Sequence, residues 1–112
     1  MRVAVVAGTF DRVHVAHIIM LWYAFKLGDH VIIGLMSDEE LKGKIFNEGI
    51  EPYNVRKATI EEILKTWVKN WNKNKTFEIV EIHGPYDVIT EIENVDYLIV
   101  SEETLPKAIA IN

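Results

Sequence analysis

Two short runs of β-branched residues, at positions 2–7 and 30–36, are separated by a single segment with helical periodicity. Both runs, RVAVVA and HVIIGLM, are apolar at nearly every position, as expected of strands that are covered on both faces. The spacing of apolar residues between them predicts a helix over 15–27, which Gly28 and Asp29 end. A strand, a helix and a strand of these lengths predict a right-handed crossover between parallel strands.

The rest of the chain continues this alternation of helices and strands. Pro52 precedes a long segment with a period near 3.6 residues, which predicts an amphipathic helix through position 71. Residues 76–82 and 96–100 predict a third and a fourth strand. A short helix through 86–92 can connect them. The predicted fold class is therefore α/β, a Rossmann-like open parallel sheet with helices on both faces.

Composition sets the number of domains and the class of partners. The 112 residues are 49% hydrophobic, which suits one packed core and hence a single domain over residues 1–112. Twelve Lys and Arg against 17 Asp and Glu give a formal charge of -5, which argues against broad binding to nucleic acid. There is no cysteine, and neither a signal peptide nor a membrane helix of roughly 20 apolar residues is predicted. We expect a cytoplasmic protein that binds neither nucleic acid nor a membrane.

Polar residues follow each of the four predicted strands. Ligands bind beyond the carboxyl ends of the strands in an open parallel sheet, so functional residues are expected there. Gly8 and Thr9 follow the first strand, Ser37 and Asp38 the second, His83 the third and Ser101 the fourth. Because parallel strands end at the same edge, these residues are predicted to line one rim.

The loop after the first strand has the character of a phosphate site. His14 and His17 are three residues apart near a predicted helix N-terminus, so both lie on one side of the helix where exposed amides attract anions. Gly8 allows close approach of the backbone to a ligand, and Thr9 adds a hydroxyl donor. A surface or metal-binding histidine pair is the alternative interpretation. Neither the GxGxxG fingerprint nor a Walker loop is present, and no protein-bound metal is predicted.

The stretch GTFDRVHVAH, residues 8–17, resembles the GTFDxxHxGH signature of the nucleotidyltransferase superfamily. Three further stretches, GDHVIIGLMSDEELKGK, EPYNVRK and VSEETLPKAIAIN, are similar in order and spacing to the archaeal branch of the phosphopantetheine adenylyltransferase family. This resemblance runs through nearly the whole chain. It implies transfer of an adenylyl group from ATP, with Mg²⁺, to 4'-phosphopantetheine, which gives dephospho-coenzyme A and pyrophosphate.

The resemblance also implies roles for individual residues. His14 and His17 would hold the ATP phosphates and stabilise the transition state, Thr9 would orient the incoming phosphate, and Lys44 would bind phosphate. Acceptor binding would involve Thr9 with Ser37 and Arg56, and nucleotide binding would involve Gly8, Phe10, Ala16, Ser101, Glu102 and Glu103.

Some of these residues have alternative interpretations. Lys44 and Arg56 could be ordinary solvated charges. Asp11 could cap or brace the loop instead of binding a ligand. His30 and His83 are expected to be structural.

Two departures from the family pattern motivate other functions. Ala16 replaces the glycine between the two histidines, which adds a methyl group at the nucleotide face. Family members normally continue after the segment that matches the final IN with an arginine and an ISSTR-like motif, so the fold is expected to be C-terminally short. A noncatalytic nucleotide-binding module is therefore one alternative.

Cytidylyl transfer to a small phosphate such as glycerol phosphate is another alternative, since GTFD and LGDHVIIG suit that branch, whereas SEET favours adenylyl transfer. A homo-oligomer is also compatible with the family resemblance.

Overall fold

The computed structural model describes residues 1–38, 51–83 and 95–99. These ranges contain strands β1 (Val3–Gly8), β2 (His30–Met36), β3 (Thr76–Ile82) and β4 (Tyr97–Ile99), and helices α1 (Val15–Leu27) and α2 (Tyr53–Asn70). The predicted helix over 15–27 and the strands over 30–36 and 76–82 are confirmed at both ends. The predicted helix over 86–92 lies outside the described residues.

The strands form one parallel sheet in the order β3-β2-β1-β4. β1 pairs with β2 from Val3 opposite His30 to Gly8 opposite Leu35. On its other side, β1 pairs with the three residues of β4. The chain therefore adds β2 and β3 on one side of β1 and β4 on the other, so the strand order reverses at β1. The prediction of a parallel α/β sheet is confirmed.

Side chains that alternate along the strands form two buried apolar clusters, one on each face of the sheet. Ala4 and Val6 of β1 face the cluster that contains residues of both α1 and α2. Val5 and Ala7 face a second cluster on the opposite side. Successive right-handed crossovers that advance in one direction place their helices on one face, which explains why α1 and α2 share a face. The prediction of a helix on the second face concerns residues outside the described ranges.

Lys75 joins the C-terminus of α1 to the start of β3, at the edge of the sheet opposite to the strand carboxyl ends. Its ammonium group donates hydrogen bonds to the carbonyls of Phe25, Lys26 (3.1 Å) and Gly28 (2.8 Å). The last carbonyls of a helix have no partner within the helix, and the negative end of the helix dipole favours a cation. The three protons of the Lys75 ammonium group thus satisfy carbonyls at the end of α1 that would otherwise need water as a hydrogen-bond donor.

We expect Lys75→Met to lower the free energy of unfolding by about 1–3 kcal/mol, because the apolar replacement leaves these carbonyls without their charged donor. Urea denaturation followed by tryptophan fluorescence measures the change. Lys73→Met is the matched control, since Lys73 is exposed two residues earlier and its replacement should change stability by less than about 0.5 kcal/mol. Equal effects of the two substitutions would contradict this role of Lys75.

Candidate phosphate-binding site

The segment of residues 9–14, here called the β1–α1 loop, leaves the sheet at the point where the strand order reverses. In open α/β sheets this is the position of the ligand crevice. Phe10 and Arg12 in this loop have positive φ angles, 53° and 44°. Side-chain-bearing residues adopt such angles at a cost of about 1–3 kcal/mol each, so neighbouring contacts must stabilise the loop.

Phe10 anchors the start of the loop. Its side chain is 2% exposed and belongs to the core that α1 and α2 share. Its ring lies so close to Gly8 that a Cβ atom there would sit 3.2 Å from the ring Cε2 atom. Gly8 therefore leaves the space that the aromatic ring occupies. Its predicted contribution, close approach of the backbone to a ligand, stays a prediction.

His14 and His17 cap the N-terminus of α1 reciprocally. His14 is the N-cap residue, and its Nδ1 accepts a hydrogen bond from the Ala16 N–H at 3.3 Å. The Nδ1 atom of His17 accepts from the His14 N–H, also at 3.3 Å. The two ring centroids are 4.1 Å apart, and the Phe10 ring lies 5.3 Å from that of His17. The pair has the connectivity of a capping box in which imidazoles replace the usual hydroxyl and carboxylate.

These contacts specify which nitrogen carries the proton. A nitrogen that accepts a hydrogen bond from a backbone N–H is unprotonated, so each neutral imidazole has its hydrogen on Nε2. His14 is exposed, and its Nε2–H is therefore a donor at the solvent-facing start of α1. Together with the positive end of the helix, two imidazoles of this tautomer can bind and orient an anion.

Ala16 occupies the second position of α1 and is exposed. Its N–H is the group that the His14 side chain caps. In this structure, residue 16 therefore contributes its backbone N–H to the capping of α1. Its predicted contact with a nucleotide stays a prediction.

Arg56 is fully buried, which excludes the interpretation of this residue as a solvated charge. Its Nη1 donates to the carbonyls of Thr9 and Met36, both at 2.9 Å. Its Nε donates to the carbonyl of Glu51 at 2.8 Å, and its Nη2 forms an ion pair of 2.9 Å with Asp38. The guanidinium therefore joins the carboxyl ends of β1 and β2 to the start of α2. Direct binding of the acceptor by Arg56 stays a prediction.

The N-terminus of α2 depends on a carboxylate from another segment. Pro52 is its N-cap residue and makes no side-chain capping bond, whereas Asp38 Oδ1 accepts from the Tyr53 N–H at 2.9 Å. The Tyr53 ring centroid lies 5.8 Å from the Arg56 guanidinium carbon. Burial raises the pKa of the Tyr53 phenol, Glu81 raises it further and Arg56 opposes both. The phenol is consequently neutral at physiological pH.

The structure places the remaining residues named from the sequence in different parts of the molecule. Ser37 is buried, and its N–H donates to the Ile82 carbonyl at 2.8 Å, so it links the ends of β2 and β3. His30 contacts Thr76 and Glu78 at the opposite edge of the sheet, which confirms that it is structural. Four residues with predicted roles lie outside the described ranges: Lys44, Ser101, Glu102 and Glu103.

Asp11 braces the loop, as one of its two interpretations predicted. Its Oδ1 accepts from the Glu51 N–H at 2.7 Å, and its Oδ2 forms an ion pair with the Arg12 side chain at 2.7 Å. Asp38 was predicted at the rim, after the second strand, but its bonds to Tyr53 and Arg56 were not. The contribution of Glu51 was not predicted. The only sequence signal for Glu51 is its position just before a predicted helix, where carboxylates are common.

An open parallel sheet whose central strand leads through a capped histidine pair into a helix defines an α/β protein of the nucleotidyltransferase type. The chain belongs to the cytidylyltransferase-like family, whose model matches residues 5–111. It is 39% identical over 108 residues to a phosphopantetheine adenylyltransferase of Pyrococcus furiosus, which covers 96% of this chain and 64% of the relative. The protein of the same name from Pyrococcus horikoshii is 40% identical, and 96% of this chain and 65% of that relative are covered.

A solved structure supports the same fold. The crystal structure of a protein of unknown function from Archaeoglobus fulgidus superposes with a TM-score of 0.74 and 31% identity, covering 100% of this chain and 77% of that one. The present chain spans slightly less than two thirds of the length of the Pyrococcus relatives. The activity of those whole proteins therefore bears on this chain as a proposal.

The two functions of His14 can be separated by substitution. Asparagine places an acceptor near the Nδ1 position but nothing at Nε2, whereas glutamine reaches toward Nε2 without the short-range acceptor. We expect His14→Gln and His14→Ala to destabilise the fold by about 1 kcal/mol and His14→Asn to have a smaller effect, because Asn is a good N-cap residue. Urea denaturation measures this order.

The affinity for ATP should instead follow the group at the Nε2 position, so we expect His14→Asn and His14→Ala to bind ATP more weakly than His14→Gln. Isothermal titration calorimetry measures it on the same preparations. If His14→Asn is as unstable as His14→Ala, or binds ATP as tightly as the unsubstituted protein, the assignment of Nδ1 to the helix and Nε2 to the ligand is wrong.

Proposed function

We propose that this protein is a nucleotidyltransferase that transfers the adenylyl group of ATP to 4'-phosphopantetheine, with dephospho-coenzyme A and pyrophosphate as products. The observation that carries the proposal is the reciprocal capping of His14 and His17 at the reversal point of the sheet. Two imidazole donors and a helix N-terminus at this position suit a polyphosphate. The names of the Pyrococcus relatives supply the acceptor.

The acceptor's chemistry makes a general base unnecessary. The second pKa of a phosphate monoester is about 6, so the attacking phosphate is largely a dianion at neutral pH. One of its oxygens forms a bond to the α-phosphorus, and the bond from that phosphorus to the bridging oxygen breaks. Pyrophosphate leaves with the electron pair. The protein's contribution is positioning and stabilisation of charge at the reacting phosphates.

His14 and His17 are proposed to donate Nε2–H hydrogen bonds to these phosphates. Thr9 is proposed to orient the incoming phosphate, and the Arg56 bond to the Thr9 carbonyl fixes the backbone at that residue. Lys44 and the segment Ser101, Glu102 and Glu103 retain their predicted roles as phosphate-binding and nucleotide-binding residues.

Mg²⁺ is proposed to arrive with the nucleotide. Among the described residues, no group of three or more His, Asp or Glu side chains is placed to hold a metal ion. Asp11 in the loop and Glu51, which contacts it, already accept protein hydrogen bonds. Triphosphate oxygens and water suit Mg²⁺, which commonly retains several waters in phosphate-transfer sites. When bound, the ion supplies neutralisation of phosphate charge.

Over the described part of the chain, neither helix has the length and apolar character needed to cross a membrane. Action in the cytoplasm is part of the proposal and is compatible with a chain that has no cysteine. Assembly into a homo-oligomer stays a prediction.

Cytidylyl transfer to a small phosphate is the second candidate, because the matching family is described as cytidylyltransferase-like. Both reactions release pyrophosphate from a nucleoside triphosphate. They are distinguished by the base and by the acceptor.

Pyrophosphate release by the purified protein tests both candidates. We expect release with ATP, Mg²⁺ and 4'-phosphopantetheine and none above background with CTP and glycerol phosphate. His17→Ala should lower kcat by about 10²- to 10³-fold, since a donor to transition-state charge is lost. Release with the second substrate pair alone would overturn the preference for adenylyl transfer. Thermal stabilisation by ATP without product from either pair would favour the noncatalytic nucleotide-binding module.

A further inference from the structure

The β1–α1 loop reaches the histidine pair through an unfavourable backbone conformation. No glycine occurs between Thr9 and His17, yet Phe10 and Arg12 both have positive φ angles. Burial of the Phe10 ring holds the first of these residues. Arg12 lacks a buried anchor, because its side chain is 63% exposed and its ion-pair partner, Asp11, belongs to the same loop. A contact from outside the loop is therefore needed to maintain the second left-handed residue.

Glu51 makes that contact. Its Oε1 accepts a hydrogen bond from the Arg12 N–H at 2.8 Å. Its own N–H donates to Asp11 Oδ1 at 2.7 Å, and its carbonyl accepts from Arg56 Nε at 2.8 Å. One residue thus bonds two consecutive loop residues and is itself held by a buried guanidinium. Hydrogen bonds to an ionised acceptor are among the stronger ones in proteins.

We propose that Glu51 is a positioning residue that holds the β1–α1 loop in the conformation that presents His14. Arg12 lies two residues before His14, so its φ angle sets the direction in which the chain enters the N-cap of α1. If the loop relaxes, the imidazole shifts relative to the phosphates. Displacements of about 1 Å can cost roughly 10²-fold in rate. The effect on catalysis rests on the proposed function, whereas the effect on the loop does not.

The chain allows the hydrogen bond, the charge and the backbone strain to be varied separately. Glu51→Ala removes the acceptor, and Glu51→Gln keeps an oxygen acceptor without the charge. Arg12→Asn keeps the N–H of residue 12 and introduces a residue that tolerates positive φ, and it also removes the exposed ion pair with Asp11. The double variant Glu51→Ala with Arg12→Asn tests whether relief of backbone strain at residue 12 compensates for loss of the hydrogen bond from Glu51. Glu62→Ala is the matched control, because it removes an exposed carboxylate of α2 and leaves the three hydrogen bonds of Glu51 in place.

The first readout is the Arg12 amide in ¹H–¹⁵N spectra of the full chain, which needs no substrate. We expect Glu51→Ala to move this amide proton upfield and to speed its exchange with solvent. Glu51→Gln should retain most of the protection, and Glu62→Ala should change nothing. An Arg12 amide that is unaltered in Glu51→Ala overturns the proposal even if the protein proves inactive.

The second readout is pyrophosphate release from ATP and 4'-phosphopantetheine. We expect Glu51→Ala to lower kcat by about 10- to 100-fold while KM for ATP changes by less than about 3-fold. Glu51→Gln should stay within about 3-fold of the unsubstituted protein, and Arg12→Asn should recover at least about 10-fold of the loss in Glu51→Ala.

A structural role alone would lower stability without this rescue. Urea denaturation of each variant therefore accompanies the rates. In an active protein, an unchanged kcat in Glu51→Ala, or a loss that Arg12→Asn leaves uncorrected in a folded double variant, overturns the positioning role. If the unsubstituted protein releases no pyrophosphate, the proposed function fails and the amide readout alone decides the role of Glu51.

Discussion

Beyond Gly8 and Leu35, the last residues that β1 and β2 pair, the carbonyls of Thr9 and Met36 are both bound by one guanidinium. The donor is Arg56, a residue of α2 that is completely removed from solvent. A buried charge is tolerated only when its partners are satisfied, and here two further acceptors complete the set. This interaction joins the ends of the two strands and fixes the start of α2 against them. The β1–α1 loop begins at Thr9, whose carbonyl is one of the acceptors that Arg56 holds in place.

The candidate site then uses one pair of side chains for two tasks. In each imidazole, Nδ1 accepts a backbone N–H at the start of α1. The same bonds place the proton on Nε2, the atom that is proposed to meet phosphate. Helix capping and ligand binding are therefore coupled at His14 and His17. The coupling gives a physical reason for the spacing of three residues, since a capping box joins the N-cap residue to the third helical residue.

The sequence predicted the repeating elements well and the tertiary contacts poorly. Periodicity located α1, β2 and β3 to the residue, while β1 was predicted one residue early and β4 one residue longer at its start. The spacing of three residues near a predicted helix N-terminus also identified the histidine pair. Arg56, by contrast, could not be distinguished from a solvated charge because its partners lie up to 47 positions away. The same holds for Glu51, whose bond to Arg12 spans 39 positions and leaves no local pattern.

The tautomer of the two histidines tests the account most directly. Long-range ¹H–¹⁵N correlation spectra of the histidine-labelled protein, recorded at neutral pH with and without Mg²⁺ and ATP, report it at each ring nitrogen. The account predicts that both His14 and His17 carry the proton on Nε2 and that both Nε2 resonances shift when the nucleotide is added. His30, at the opposite edge of the sheet, should not respond. A proton on Nδ1 of either residue, or spectra that ATP leaves unchanged at both, would contradict it.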